Sequence, residues 1–566
     1  MTHSTPAIVI LGQASLATAR RIQQVYPAAQ IHGLAGRVEG ADCSYQEFGA
    51  TLRDLYQHNT PIIALCAAGI VIRTLAPLLL EKGAEPAVLA VAEDGSAVVP
   101  LLGGLGGVNV MAREIAAGLQ VTAAITTSGE LRFGTCLLNP PSGYALADLE
   151  LGKRFVSDLL AGHSVRIEGE APWLDQAQLQ EDPQAQRSIH VSSAEREVSA
   201  NELLIYPRSV AVAVTADVAD LPSAVRKALQ QAKIALQSLA CLVAADSQMA
   251  SANLRDAALD LGVPLRFVAA QTDLEALALN AVPSASIVTA NNLAIAIAEQ
   301  PLDVAHVGRP RGRLAVIGLG PGAAELMVPA VKAELARCTD VLGYETYVRM
   351  AGPFRDDQVQ HCTDNREEMQ RARHAFRLAA EGRSVIVVSS GDPGVFAMAA
   401  AVLEALHESD DPSWHSVDLE ILPGVSASLA TAAQAGAPLG HDFCVMSLSD
   451  NLKPWSIIEK RLDLAAEADL ALAFYNPISK ARPWQLGRAL EIVAQHRTSE
   501  TPVVLGRDVG RPGQTLRTTT LGALTPDQVD MRTMVLIGSS TTCTFPRATG
   551  GDWVYTPRWY GEKPKG

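Results

Sequence analysis

No two of the eight cysteines (Cys43, Cys66, Cys136, Cys241, Cys338, Cys362, Cys444 and Cys543) stand in a Cys-x-x-Cys spacing. That absence excludes zinc ribbons and dithiol redox motifs, and it predicts free thiols in a reducing compartment with no bound metal. Positive charge is also in short supply, with 46 Lys and Arg against 60 Asp and Glu, a net of −14. Nucleic-acid backbones favour a basic footprint, so DNA and RNA are poor partners for this chain. Long apolar runs are missing too. The run from Ile62 to Ile72 ends at Arg73, well short of the roughly twenty residues a membrane helix needs. The first residues show no basic stretch followed by an apolar one, so no secretory leader is expected, and the protein is expected to be soluble and cytoplasmic.

What is present reads as an ordinary globular protein of several domains: 566 residues, 48% hydrophobic and 19% charged, too long for one core. Residues 1–135 alternate apolar strands (7–11, 61–65, 87–92, 121–126) with helical patterns (14–24, 70–82, 110–119). Such alternation predicts an α/β domain with a mostly parallel sheet. Residues 136–204 are charged, Gln-rich and weakly periodic, and read as a small middle domain or a connection. Alternation returns over 205–305, and the basic, Pro- and Gly-containing stretch 306–313 reads as a linker. A further α/β region fills 314–555, so the fold class is α/β and multidomain.

Two loops carry the most chemistry. The apolar strand Leu314-Ala-Val-Ile317 stops at Gly318-Leu-Gly-Pro-Gly322, and the strand Ser384-Val-Ile-Val-Val388 stops at Ser389-Ser-Gly-Asp-Pro-Gly-Val-Phe396. Glycine at a strand end lets backbone approach a ligand that side chains would obstruct. A phosphate-cradling Walker loop needs Lys-Ser/Thr after its last glycine, where Ala323-Ala324 stands. A dinucleotide fingerprint is broken by Pro321 and by a third glycine one residue early. Two glycine turns, one bearing the carboxylate of Asp392, suit a small ligand with a cationic part and an adenosine-like part.

This pairing resembles the tetrapyrrole methylase family, which transfers methyl groups from S-adenosylmethionine. The likeness continues through His361-Cys-Thr-Asp-Asn-Arg-Glu367, Leu422-Pro-Gly-Val-Ser426, Ser447-Leu-Ser-Asp450, Phe474-Tyr-Asn-Pro477 and Gly506-Arg-Asp-Val-Gly-Arg511. Within the family, these stretches are most similar to the precorrin-3B C17-methyltransferase group, the ring-contracting enzymes of cobalamin biosynthesis. The resemblance implies two α/β lobes, divided near 425–440, with S-adenosylmethionine in the cleft between them. Carried over by position, it implies that Pro321, Ser390, Gly391, Asp392, Val395, Ser426, Ala427, Tyr475, Asn476 and Thr519 contact this cofactor. Asp392 has an alternative use as the N-cap of a helix started by Pro393.

Methyl transfer asks mainly for alignment. Ring contraction also needs a base for a tertiary hydroxyl and an acid or cation at a leaving carboxylate. The candidates beside the matching motifs are Asp364, His441, Asp442, Asp450 and Lys453. His441-Asp442 could instead close the preceding loop, and Asp450 could cap the helix that follows. The implied polycarboxylate tetrapyrrole substrate calls for guanidinium groups, and Arg366, Arg482, Arg507 and Arg511 lie in or beside the motifs. The family also implies a homodimer, with handover of intermediates to other corrin-pathway enzymes.

In the first half, Ala67-Ala-Gly-Ile-Val-Ile-Arg73, Asp94-Gly95, Pro100-Leu-Leu-Gly-Gly-Leu-Gly-Gly-Val-Asn109 and Tyr206-Pro-Arg-Ser-Val210 resemble the cobalt-precorrin-5A hydrolase family, whose members open a lactone. Departures stand at Leu105-Gly106, where that family carries histidine, and at Val212-Ala-Val-Thr215, where it carries a glycine-rich turn. A degenerate, non-hydrolytic module is therefore expected, with Arg73, Asp94 and Asn109 the residues of interest. A working hydrolase and a corrinoid-binding scaffold remain the alternatives.

Overall fold

The computed structural model describes residues 5–79, 85–355, 357–364, 367–548 and 550–560. Arg366 and residues 80–82 of the expected helix lie outside them. The chain forms two compact units, Met1–Arg311 and Gly312–Gly566, dividing within the stretch expected as a linker.

The first unit begins with a six-stranded sheet in the order Cys43–Tyr45, Gln30–Leu34, Ala7–Ile10, Ile62–Leu65, Val88–Val91, Val98–Leu102, parallel except for the last strand. Ala7–Ile10, Ile62–Leu65 and Val88–Val91 are buried throughout, as helices on both faces of a parallel sheet require. Ile8, Ile10, Ile63 and Leu65 enter one core while Val9, Ile62 and Ala64 enter the other. The run 121–126, expected as a strand, makes only one bridge, Ala123 to Val98. Its residues stay half-buried or exposed, with no second face to cover, so no ladder forms.

The Gln-rich stretch folds into its own sheet, ordered Tyr144–Leu146, Glu202–Pro207, Ser188–Val191, Arg166–Glu168. The helix Leu149–Leu160 covers it, with Phe155 and Leu159 packing on Ile189, Leu203 and Ile205. Burial of Leu203 and Ile205 in one core carries the strand Glu202–Pro207 across the division expected at 204/205. A third sheet follows, ordered Leu265–Val268, Leu239–Ala245, Val210–Ala213, Leu293–Ile297, Ser286–Ala290.

The second unit opens with five parallel strands ordered Val359–Thr363, Asp340–Tyr344, Ser384–Ser389, Arg313–Gly318, Asp418–Leu422. From Arg313–Gly318 the chain moves to one edge of this sheet, and from Ser384–Ser389 it moves to the other. Ligands bind open α/β sheets in the crevice outside the carboxyl ends at such a switch point. Both glycine loops stand there. A second, mixed sheet is ordered Phe443–Ser447, Ala471–Tyr475, Thr533–Ile537, Pro502–Arg507, Thr515–Thr520, packed on the helices Trp455–Glu467 and Gln485–Val493. The helix Ala427–Ala435 connects the two sheets. Among the described residues no helix is long and apolar enough to cross a membrane.

Candidate functional site

The two glycine loops are locked together through backbone. Gly320 N–H donates to Gly391 O at 3.1 Å and Gly391 N–H returns a bond to Gly320 O at 2.8 Å. The packing tolerates no side chain. A Cβ on Gly318 would lie 2.4 Å from Gly391 O, and one on Gly424 would lie 2.2 Å from the same oxygen. Gly320 and Gly391 also hold positive φ angles, +73° and +71°. Asp392 fastens a third segment: its Oδ1 accepts from Gly394 N–H at 2.8 Å and its Oδ2 from Gly424 N–H at 3.0 Å. The next helix starts only at Met398, so Asp392 clamps the loop and caps no helix.

Around this cradle the fold gathers several of the expected cofactor residues. Ser426 Cα and Ala427 N lie 3.7 and 3.9 Å from where a Gly391 Cβ would be. Ser426 caps the helix Ala427–Ala435, and Tyr475 Oη accepts from Ser428 N–H at 3.1 Å, joining the second sheet to that helix. Asn476 donates to Ser447 Oγ at 3.1 Å, and half-buried Val395 lies between Asp392 and Phe396. Arg511 reaches in from the loop after Pro502–Arg507, donating through Nε to Pro321 O (3.0 Å) and through Nη2 to Ser390 Oγ (3.2 Å). Backbone groups, two hydroxyls and one carboxylate at a switch point fit a donor with an amino-acid end and a ribose.

Other expected residues lie apart. In the second sheet the ends Ser447, Tyr475, Thr533 and Arg507 share one side, whereas Phe443, Ala471, Ile537 and Val503 share the other. Thr519 pairs with Val503, and His441 and Asp442 precede Phe443, His441 lying against the Tyr560 ring. These three therefore sit about 13 Å along the strands from the cradle side. Asp364 follows Thr363 on the far edge strand of the first sheet, where buried Arg371 donates to Thr363 Oγ1 and Asp364 O.

The loop after Phe443–Ser447 puts two ionisable groups on the cradle side. Asp450 accepts from Gln485 Nε2 at 3.1 Å and caps nothing, because the next helix begins at Trp455 after Pro454. Lys453 is half-buried, and that burial, with the Arg461 charge adding, lowers its pKa below lysine's ordinary value. The arginines divide. Arg507 is already bound to Asp530 (2.8 Å) and Asp508 (3.0 Å). Arg482 is buried and donates to Asn476 O at 3.1 Å, and among the described residues no carboxylate pairs with it. Phe396, Leu452 and Gln485 stand at this site without having been singled out in the sequence.

In the first unit Asn109 is buried, donating to Thr127 Oγ1 (2.9 Å) and to Glu130 Oε1 (2.6 Å), while Arg113 pairs with Glu130 Oε2. Glu130 is the partner that the sequence did not reveal. Hydrogen bonds from the Ser96 hydroxyl and then from its N–H lower the Asp94 pKa, and Arg73 is exposed. After Val210–Ala213 the turn is pinned by side chains, with Gln248 bound to Ala216 N–H and Thr215 Oγ1 and Asn253 bound to Ala216 O and Val218 O.

Residues 313–525 match the profile of the tetrapyrrole (corrin/porphyrin) methylases. A precorrin-3B C(17)-methyltransferase of Sinorhizobium sp is 50% identical over 249 residues, which are 44% of this chain and 97% of that protein. The chain belongs to the tetrapyrrole methylase family. The cobalamin biosynthesis protein CobIJ of Mycobacterium tuberculosis (strain ATCC 25618 / H37Rv) is 47% identical over 255 residues, 44% of this chain and 49% of that protein, so the chain matches about half of it. The crystal structure of the methyltransferase CobJ aligns with 44% of this chain and all of that one at 51% identity and a TM-score of 0.41. This tetrapyrrole methylase also matches, over residues 50–130, the cobalamin synthesis G N-terminal profile.

Proposed function

We propose that the second unit methylates C17 of precorrin-3B from S-adenosylmethionine and contracts the ring to give precorrin-4 in cobalamin biosynthesis. We further propose that the first unit no longer hydrolyses a lactone. The observation that carries the reading is the 50% identity to a precorrin-3B C(17)-methyltransferase along 97% of that relative. The cradle supports it, because its backbone atoms leave no room for side chains at Gly318 and Gly424.

Bound S-adenosylmethionine supplies an activated methyl group on a sulfonium. Pro321, Ser390, Gly391, Asp392, Val395, Ser426, Ala427 and Tyr475 hold it, with Asn476 positioned beside them. Arg482, buried and with no carboxylate partner among the described residues, is poised for a carboxylate of the macrocycle, since a buried guanidinium gains most from an anion. Arg511 closes over the donor loops. Asp450 takes the proton of the tertiary hydroxyl. Lys453, whose proton burial has made easier to lose, donates at the departing carboxylate. His441, Asp442 and Thr519 are left out because they lie at the other end of the sheet.

Product mass spectrometry tests the reading. The full chain incubated with precorrin-3B and S-adenosylmethionine is expected to yield a product one methyl group heavier with a contracted ring, and an unchanged macrocycle refutes it. The profile match at 50–130 favours a second reading, in which the first unit still opens a lactone. Release of acetaldehyde from a lactone-bearing corrin intermediate would establish that reading. The pinned turn at Thr215–Val218 supports its absence. The proposal places the enzyme in the cytoplasm as a homodimer, which light scattering checks.

A further inference from the structure

Phe396 ends the donor loop with a backbone φ of +53°, a left-handed conformation that bulky side chains rarely adopt. Glycine or asparagine would occupy such a position with less strain. The strained residue is also wet: 52% of it is exposed, so burial does not account for an aromatic ring there. Strain combined with exposure on a site loop is the pattern of a side chain set to meet a ligand. Its neighbours fit that use. The Tyr475 ring lies 5.4 Å away at 60°, and Lys453 Nζ stands 5.9 Å from the Phe396 centroid. Leu452, next to Lys453, is 93% exposed.

We infer that Phe396, beside Tyr475, is the platform on which a face of the tetrapyrrole rests, with Lys453 meeting a carboxylate at its rim. The inference rests on the proposed function and adds the surface that selects a planar, acid-edged substrate. An apolar ring offers stacking area to a conjugated macrocycle, and an ammonium at the rim favours polycarboxylates over neutral rings. The loop itself is held by other groups, the carboxylate of Asp392 and the Ala399 N–H to Pro393 O bond of 2.9 Å. Removing the Phe396 ring therefore leaves the donor cradle in place.

The test uses the full chain with two titrations: precorrin-3B followed by absorbance without donor, and S-adenosylmethionine by calorimetry. Phe396→Gly is expected to weaken macrocycle affinity roughly tenfold, as loss of one aromatic stacking surface does. Donor affinity is expected to hold, and Phe396→Tyr is expected to restore macrocycle affinity. Lys453→Met is expected to weaken macrocycle binding and flatten its salt dependence. Unchanged macrocycle affinity in Phe396→Gly overturns the inference, and so does an equal loss of donor affinity, which would mark Phe396 as a loop support. Phe396→Leu serves as the comparison should the glycine variant not fold. Failure of the broader reading looks different: the parent protein then binds no precorrin-3B, and the platform falls with it.

Discussion

Replacing Gly318 by alanine tests the cradle most directly. The new methyl carbon would stand 2.4 Å from Gly391 O, 2.8 Å from Pro393 Cδ and 2.9 Å from Gly424 N. Ordinary contact begins near 3.4 Å, so the loops must part by about 1 Å, and backbone offers no rotamer through which to yield. Overpacking of this kind costs about 1–3 kcal/mol, and weakening the reciprocal Gly320–Gly391 bonds adds about 1 kcal/mol. For a unit of this size each kcal/mol lowers the midpoint by roughly 2–4 °C, which gives a fall of about 4–16 °C in the melting of the second unit. A donor displaced by the same distance loses its alignment, and kcat is expected to drop about a hundredfold. Scanning calorimetry of the full chain and single-turnover methylation read the two effects. Gly487→Ala is the control, since it lies in the helix Gln485–Val493 with its nearest neighbour 3.7 Å away, and it is expected to be neutral or slightly stabilising. A Gly318→Ala protein with parental melting and turnover would refute the claim that these backbones are closely packed.

Arg482→Met is expected to raise the KM for the macrocycle about 10- to 100-fold without lowering stability, because an apolar side chain of similar length replaces a buried charge that pairs with no carboxylate among the described residues; a loss of stability with an unchanged KM would make the arginine structural. Glu130→Leu strands buried Asn109 and should destabilise the first unit by about 2–3 kcal/mol in urea titration, while methyl transfer keeps its parental rate. The Lys453 pKa is lowered by burial, so kcat/KM should fall as pH rises through a midpoint below lysine's ordinary value, and Lys453→Arg should remove that limb. The same shift means the unfolded chain binds more protons between the folded and unfolded pKa values, so this group's contribution to stability rises with pH across that window.

The glycine loops were legible in the sequence because strand, turn and breaker follow one another locally, and Gly318, Gly391 and Asp392 do meet at a switch point. What the sequence hid was long-range. His441-Asp442 and Ser447-Leu-Ser-Asp450 are neighbours in the chain, but an extended strand separates its two ends by its full length, and only the second stretch falls on the cradle side. Arg507 gave no sign of Asp530, its partner 23 residues on, since that pairing depends on antiparallel register. Phe396 was part of the motif, but no local pattern of residue types records its left-handed backbone. The middle region showed weak periodicity because its strands are only three to six residues long, the two outer ones half-buried and Glu202–Pro207 buried throughout, although together they bury a core around Phe155.

Arg511 binds Pro321 and Ser390 with a single guanidinium, spanning 190 residues of chain to one loop and 121 to the other. It works as a tether with two attachment points, and swinging the Pro502–Thr520 hairpin outward must release both together.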